Sequence, residues 1–214
     1  MSSGNGRTTT IRVALVEDEA FVREAFAAML DRMPGIVTVG TAVSGEEAVE
    51  LAVRTVPDVM MVDIRIPGMA PLIDGIEVIR ALGRCAPTVR CLVFTTLGTP
   101  GELRRAMAAG ARGFLVKDTR PTQVLAAVQD VATGGYALSP ALAAAVLRSG
   151  PSPLTARELD VLRLSRSHGS VRSIATQLHL AEGTVRNYLS TAIGKMGASS
   201  RGEAARTAEE QGWL

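Results

Sequence analysis

The stretch IRVALVED, Ile11 to Asp18, is a nearly unbroken apolar run that stops on two carboxylates. A run of this length, rich in β-branched residues, suits a strand buried on both faces; a strand with one wet face would alternate apolar and polar residues. Four later runs share its texture: IVTVGTA (36–42), VMMVD (59–63), RCLVFTT (90–96) and GFLVKD (113–118). The segments between them carry helix-start signals. Ser44 with Glu47, Asp74 with Glu77 and Thr99 with Glu102 each set a capping side chain three residues before an acid, and Pro100 occupies a first helical position. A fifth helix follows Pro121. Five strands, each followed by a helix, predict an α/β fold built on a doubly wound, five-stranded parallel sheet.

The texture changes after residue 133. An Ala-rich segment runs into the Gly/Pro/Ser stretch around 149–153, which reads as a linker over 134–152. Beyond it no strand signal occurs. Thr155 with Glu158 opens a helix, VRSIATQLHL and EGTVRNYLSTAIGKMG suggest two more, and Ser200 with Glu203 caps a fourth. About 62 residues of short helices can form a small all-α bundle. The expected organisation is therefore a disordered tail over 1–9, an α/β domain over 10–133, the linker, and a helical domain over 153–214.

Bulk properties exclude some classes. The 214 residues hold 23 Lys+Arg and 21 Asp+Glu, a net charge of +2. Residues 1–150 balance at 15 basic and 15 acidic, whereas 151–214 hold 8 and 6, so the excess sits in the helical part. That is compatible with a nucleic-acid partner. No apolar run approaches the ~20 residues that span a bilayer. The first ten residues lack the apolar core of a secretory signal, and the two cysteines read as free thiols, so a cytoplasmic protein is expected.

In a doubly wound sheet, ligands bind at the carboxyl ends of the strands. Strand one ends in Glu17-Asp18, strand three in Asp63, strand four in Thr95 and strand five in Lys117. Lys117 is one of only two lysines, in a chain that otherwise uses arginine. Its compact charge on a slim stem differs from an arginine fork. Carboxylates gathered at one point repel and raise one another's pKa unless a cation intervenes, and Mg²⁺ favours carboxylate and water oxygens. An Asp set among a metal, a hydroxyl and an ammonium is suited to attack a phosphoryl group and hold it as an acyl phosphate.

ALVEDEAFVRE, VMMVDIRIPGM, LVFTT and GARGFLVKD resemble the receiver domain of bacterial response regulators. The resemblance implies a flavodoxin-like strand order 2-1-3-4-5 and an Asp63 phosphorylated by a histidine kinase. It implies Mg²⁺ held by Glu17, Asp18, Asp63 and the backbone carbonyl of Arg65. Thr95 and Lys117 would bind the phosphoryl oxygens, and Phe114 would be the aromatic switch residue. One departure is the four residues Ala70 to Ile73, which are inserted beside the site.

In the helical part, Val185, Leu189 and Ile193 recur at helical spacing and predict a buried stripe. The other face carries Thr184, Arg186, Asn187, Tyr188 and Ser190, types able to bond bases or phosphates. This part resembles the LuxR-type helix-turn-helix domain of the NarL/FixJ family, most of all the desaturase-control regulators and their actinobacterial relatives. The resemblance makes 182–197 a recognition helix, with Thr184, Arg186, Asn187, Tyr188, Ser190 and Lys195 as DNA contacts. A transcription regulator results, not an enzyme, dimerising and binding paired DNA half-sites when Asp63 is phosphorylated. Two alternatives stand beside it: a regulator independent of phosphorylation, and an Mg²⁺-dependent aspartyl-phosphate phosphatase. The phosphatase would want an acid two residues after its nucleophile, where this chain has Arg65.

Overall fold

The computed structural model describes residues 10–69, 74–166 and 169–214. The tail 1–9 and the insertion 70–73 expected from the sequence lie outside the described residues. The chain divides into two compact units, Met1–Gly98 with Arg105–Pro140 and Thr99–Arg104 with Ala141–Leu214.

In the first unit, β1 (Ile11–Val16), β2 (Ile36–Ala42), β3 (Val59–Val62), β4 (Arg90–Thr95) and β5 (Gly113–Val116) form a parallel sheet. They alternate with α1 (Ala20–Asp31), α2 (Gly45–Thr55), α3 (Gly75–Cys85), α4 (Pro100–Ala109) and α5 (Pro121–Ala132). The order 2-1-3-4-5 is present and is extended by a short sixth strand, β6 (Ala137–Leu138), parallel to β5. That strand and α6 (Pro140–Ser149) occupy the segment read from sequence as a linker. The apolar runs of β1 and β3 are buried almost throughout, as strands covered on both faces must be. Val13, Leu15, Met61, Phe94 and Leu115 pack in one core with α1 and α5 residues such as Leu30, Val124 and Val128.

The capping signals act as their chemistry requires. Ser44 Oγ accepts from the Glu47 amide, Asp74 Oδ1 from Glu77, and Thr99 Oγ1 from Glu102. Gly75 opens α3 against the chain of β3: a Cβ there would lie 2.0 Å from the Asp63 carbonyl oxygen, so only glycine permits this approach.

The second unit holds α7 (Ala156–Arg166), α8 (Val171–Leu178), α9 (Glu182–Lys195) and α10 (Arg201–Glu210). Its core joins Val161, Leu162, Ile174, Val185, Leu189 and Ala208. The α8–α9 turn is made by His179, in the left-handed conformation (φ 55°), and Ala181 caps α9 without a side-chain hydrogen bond.

Candidate phosphoryl site and nucleic-acid interface

Strand register builds the site. Val16 pairs with Val62 and Thr95 with Val116, so Glu17, Asp63 and Lys117 each stand one residue past a paired strand end. Ligand oxygens of Glu17, Asp18 and Asp63 lie within 4.8 Å of one another. Glu17 and Asp63 are buried, at 1% and 5% exposure, while Asp18 faces solvent. Lys117 Nζ donates to Asp63 Oδ2 at 2.7 Å and also to Glu17 Oε2. Arg65 follows on the loop, its amide donating to Asp63 Oδ1 at 3.3 Å.

The electrostatics are unbalanced. Three carboxylates and one ammonium leave a formal charge of −2 in a largely buried site. Burial pushes the Glu17 carboxyl above its ordinary value, Asp63 adds to the push, and Lys117 opposes it. Burial disfavours the charge on Lys117, but its two carboxylate partners outweigh that and raise its pKa. A divalent cation would remove the charge deficit, and the all-oxygen donor set fits a hard ion such as Mg²⁺. The Thr95 hydroxyl is fully buried with no hydrogen-bond partner, a state it shares among the described residues with Thr38 Oγ1 and Trp213 Nε1. Unlike those two, it belongs to the residue that ends β4, whose carbonyl accepts from the Lys117 amide at 2.8 Å, and a bound acceptor oxygen would satisfy it. Phe114 is completely buried on β5.

Two contacts at this site carry no sequence signal. Arg23 Nη1 donates to the carbonyls of Glu17 and Asp18 at 2.9 and 3.1 Å, fixing the backbone that presents both acids. Gly75 lets α3 begin directly on the Asp63 carbonyl.

On α9, Gly183, Arg186, Asn187, Ser190 and Thr191 are exposed, Thr184 and Tyr188 are half-buried, and Val185 and Leu189 are buried. Tyr188 packs against the core. Thr191 belongs to the exposed face and was not predicted, although its spacing of four from Asn187 places it there. Arg186 pairs with Glu182 at 2.8 Å, one helical turn earlier. Lys195, expected as a DNA contact, is exposed and donates to Glu158 at 2.8 Å; that carboxylate is buried and also accepts from the Thr155 amide at 2.7 Å. The ammonium therefore joins α9 to the start of α7. Burial works against ionisation of Glu158, but Lys195 and Thr155 prevail and hold its carboxyl below the ordinary value.

Residues 13–129 match the response regulator receiver domain, and residues 152–208 match the bacterial regulatory proteins of the luxR family. The chain belongs to the response regulators with a LuxR-type output domain. It is 32% identical to the transcriptional regulatory protein DesR of Bacillus subtilis, over 95% of this chain and 99% of that protein. It is 36% identical to the response regulator RamR of Streptomyces coelicolor, over 95% of this chain and 98% of that one. The crystal structure of ChrA, a response regulator in a heme-sensing two-component system, superposes with a TM-score of 0.57 at 32% identity, over 96% of this chain and all of that one. The protein is thus a two-component transcription regulator and not an enzyme. No helix among the described residues is long and apolar enough to cross a membrane.

Proposed function

We propose that this response regulator is switched by phosphorylation of Asp63 and that the phosphorylated form dimerises and binds paired DNA half-sites. The observation that carries the reading is the setting of Asp63: buried, 2.7 Å from the Lys117 ammonium, in register with Glu17, with the unsatisfied Thr95 hydroxyl at the end of the neighbouring strand. A histidine kinase would present phosphohistidine. An Asp63 carboxylate oxygen forms the new bond to phosphorus while the P–N bond breaks, its electron pair returning to the imidazole. Lys117 then moves its donor from Asp63 to a phosphoryl oxygen, and Thr95 gains the acceptor it lacks. Glu17, Asp18, Asp63 and the Arg65 carbonyl would hold Mg²⁺, which supplies charge neutralisation of the transferring group. Phe114, already buried, would report the Thr95 movement along β5.

In the output unit, Arg186, Asn187 and Ser190 would enter the major groove, with Thr184, Tyr188 and Lys195 as further contacts. One small module with a slight positive excess binds DNA weakly, and pairing two modules on two half-sites supplies both affinity and specificity.

The test combines acetyl phosphate and Mg²⁺ with the purified full chain. One phosphoryl group per chain on Asp63, a doubling of mass, and enrichment of paired half-sites from a randomised DNA pool are expected. Asp63→Asn should remove the labelling. An unlabelled wild-type chain would overturn the switch, and labelling without a change of mass would overturn its dimerisation.

A further inference from the structure

We propose that Glu46 is a positioning residue for the phosphoryl site, holding the loop that follows Asp63 through the backbone amide of Met69. This rests on the reading of Asp63 as the phosphoacceptor.

The loop leaves the sheet at Asp63 and is held at first by its side chains. Ile64 and Ile66 are buried, and the Ile64 carbonyl accepts from the Gly75 amide at 3.0 Å. That mode of anchoring ends at Ile66: Pro67 is exposed, and Met69 is 75% exposed. What holds the chain there is the first turn of α2. The Gly45 amide donates to the Pro67 carbonyl at 3.1 Å, and Glu46 Oε1 accepts from the Met69 amide at 2.7 Å. Two adjacent residues of α2 thus grip two alternate residues of the loop, one by a donor and one by an acceptor. Met69 is also the last residue before the inserted segment 70–73. The carboxylate grip is therefore the last polar contact between the described part of the loop and the body of the sheet.

The grip is charge-assisted, which makes it stronger than an ordinary surface hydrogen bond. Consistent with this, the Met69 N–H is the foremost cause holding the Glu46 carboxyl below its usual range. Its consequence for the site follows from connectivity. Arg65, whose carbonyl would ligate the metal and whose amide reaches Asp63 Oδ1, lies between the buried start of the loop and this grip. Releasing Met69 leaves the Gly45–Pro67 bond as the loop's last hold on α2, so the chain after Ile66 moves more freely, the Arg65 carbonyl is set less firmly and water reaches the acyl phosphate more readily. A glutamate in the first turn of a helix also interacts favourably with the helix dipole, a role that requires its charge but not the loop.

Glu46→Gln and Glu46→Ala separate the two roles, because Gln keeps an acceptor oxygen and loses the charge. Two quantities are read in the full chain. The first is hydrogen-exchange protection of the Met69 amide in the unphosphorylated protein. The second is the lifetime of the acyl phosphate after the phosphodonor is removed. Glu46→Ala is expected to abolish Met69 protection and shorten the lifetime roughly fivefold, the size of one such bond, whereas Glu46→Gln should retain most of both. Met69 protection unchanged in Glu46→Ala would overturn the grip. Lost protection with an unchanged lifetime would overturn the positioning role, and equal losses in Gln and Ala would assign Glu46 to the helix dipole. If the wild-type chain takes no phosphate, the phosphoacceptor reading fails, while the exchange measurement still decides whether the grip exists.

Discussion

The acidic pocket of the receiver and the exposed face of α9, the two places proposed to meet other molecules, stand in opposite relation to stability. The pocket gathers what a fold avoids: two buried carboxylates beside a third, and a buried hydroxyl without a partner. The α9 face is wet, and Arg186, Asn187, Ser190 and Thr191 lose little by waiting there. Preorganised chemistry in a buried site is maintained at the expense of the folded state, whereas a groove-reading surface is nearly free of such cost. Substitutions in the pocket should therefore stabilise the unliganded protein, those on the α9 face should leave stability alone, and only the residues that brace the face should be costly to lose.

The bracing residue is Glu158. Its buried carboxylate serves the Thr155 amide and the Lys195 ammonium together. Glu158→Ala removes a capping box and a partly exposed ion pair, and it should destabilise the second unit by about 1–2 kcal/mol, measured by denaturant unfolding of the full chain. The folded Glu158 carboxyl titrates below its ordinary 4.5, so its contribution is present above that pH and is lost as pH falls through the folded value. A loss under about 0.5 kcal/mol would break the comparison at this point, because Glu158 would then not be bracing the α9 face.

Glu17 tests the opposite sign. Its folded pKa is raised above 4.5, chiefly by burial, so the folded state holds the proton more tightly than the unfolded state does. Stability is therefore favoured below pH 4.5 and declines as pH rises through the folded value. Glu17→Gln, which cannot ionise, should melt above the wild type at neutral pH in the absence of metal. The difference should vanish near pH 4, and Mg²⁺ should stabilise the wild type more than the variant. A variant that melts lower than the wild type at neutral pH without metal would show that the Lys117 contact outweighs the crowding.

These contrasts also explain what was legible beforehand. Long apolar runs mark buried strands, and the residue that ends each run must lie at the carboxyl edge of the sheet, so Glu17, Asp63, Thr95 and Lys117 could be placed from sequence. The capping boxes at Ser44, Thr99, Thr155 and Ser200 were legible because both partners lie within one turn. β6 was not, since two residues, Ala137 and Leu138, form no run and gain strand geometry only from the β5 edge. Glu46 was invisible for a different reason: its partner is a backbone amide 23 residues away, and every residue type but proline offers one. The contact of Lys195 with Glu158 was invisible too, because its acid lies 37 residues earlier in the chain.

The smallest expected effect lies at Glu182, in the first turn of α9, where its carboxylate holds Arg186 at 2.8 Å. The two side chains are 43% and 62% exposed, so the pair is worth only about 0.3–0.5 kcal/mol. An Arg186 that turns to a guanine must first leave this partner, and an anion beside the DNA backbone is repelled by phosphate. Glu182→Gln should therefore raise DNA affinity about two- to threefold at fixed salt, with a stability change within about 0.5 kcal/mol. Glutamate can also accept from the cytosine N4 amino group. If the variant instead binds its selected half-site more weakly and loses preference at one base pair, Glu182 is itself a reading residue. The α9 face would then begin one turn earlier than the exposed Arg186–Thr191 stripe, and the ion pair would be a store of two readers held ready, not a brake on one.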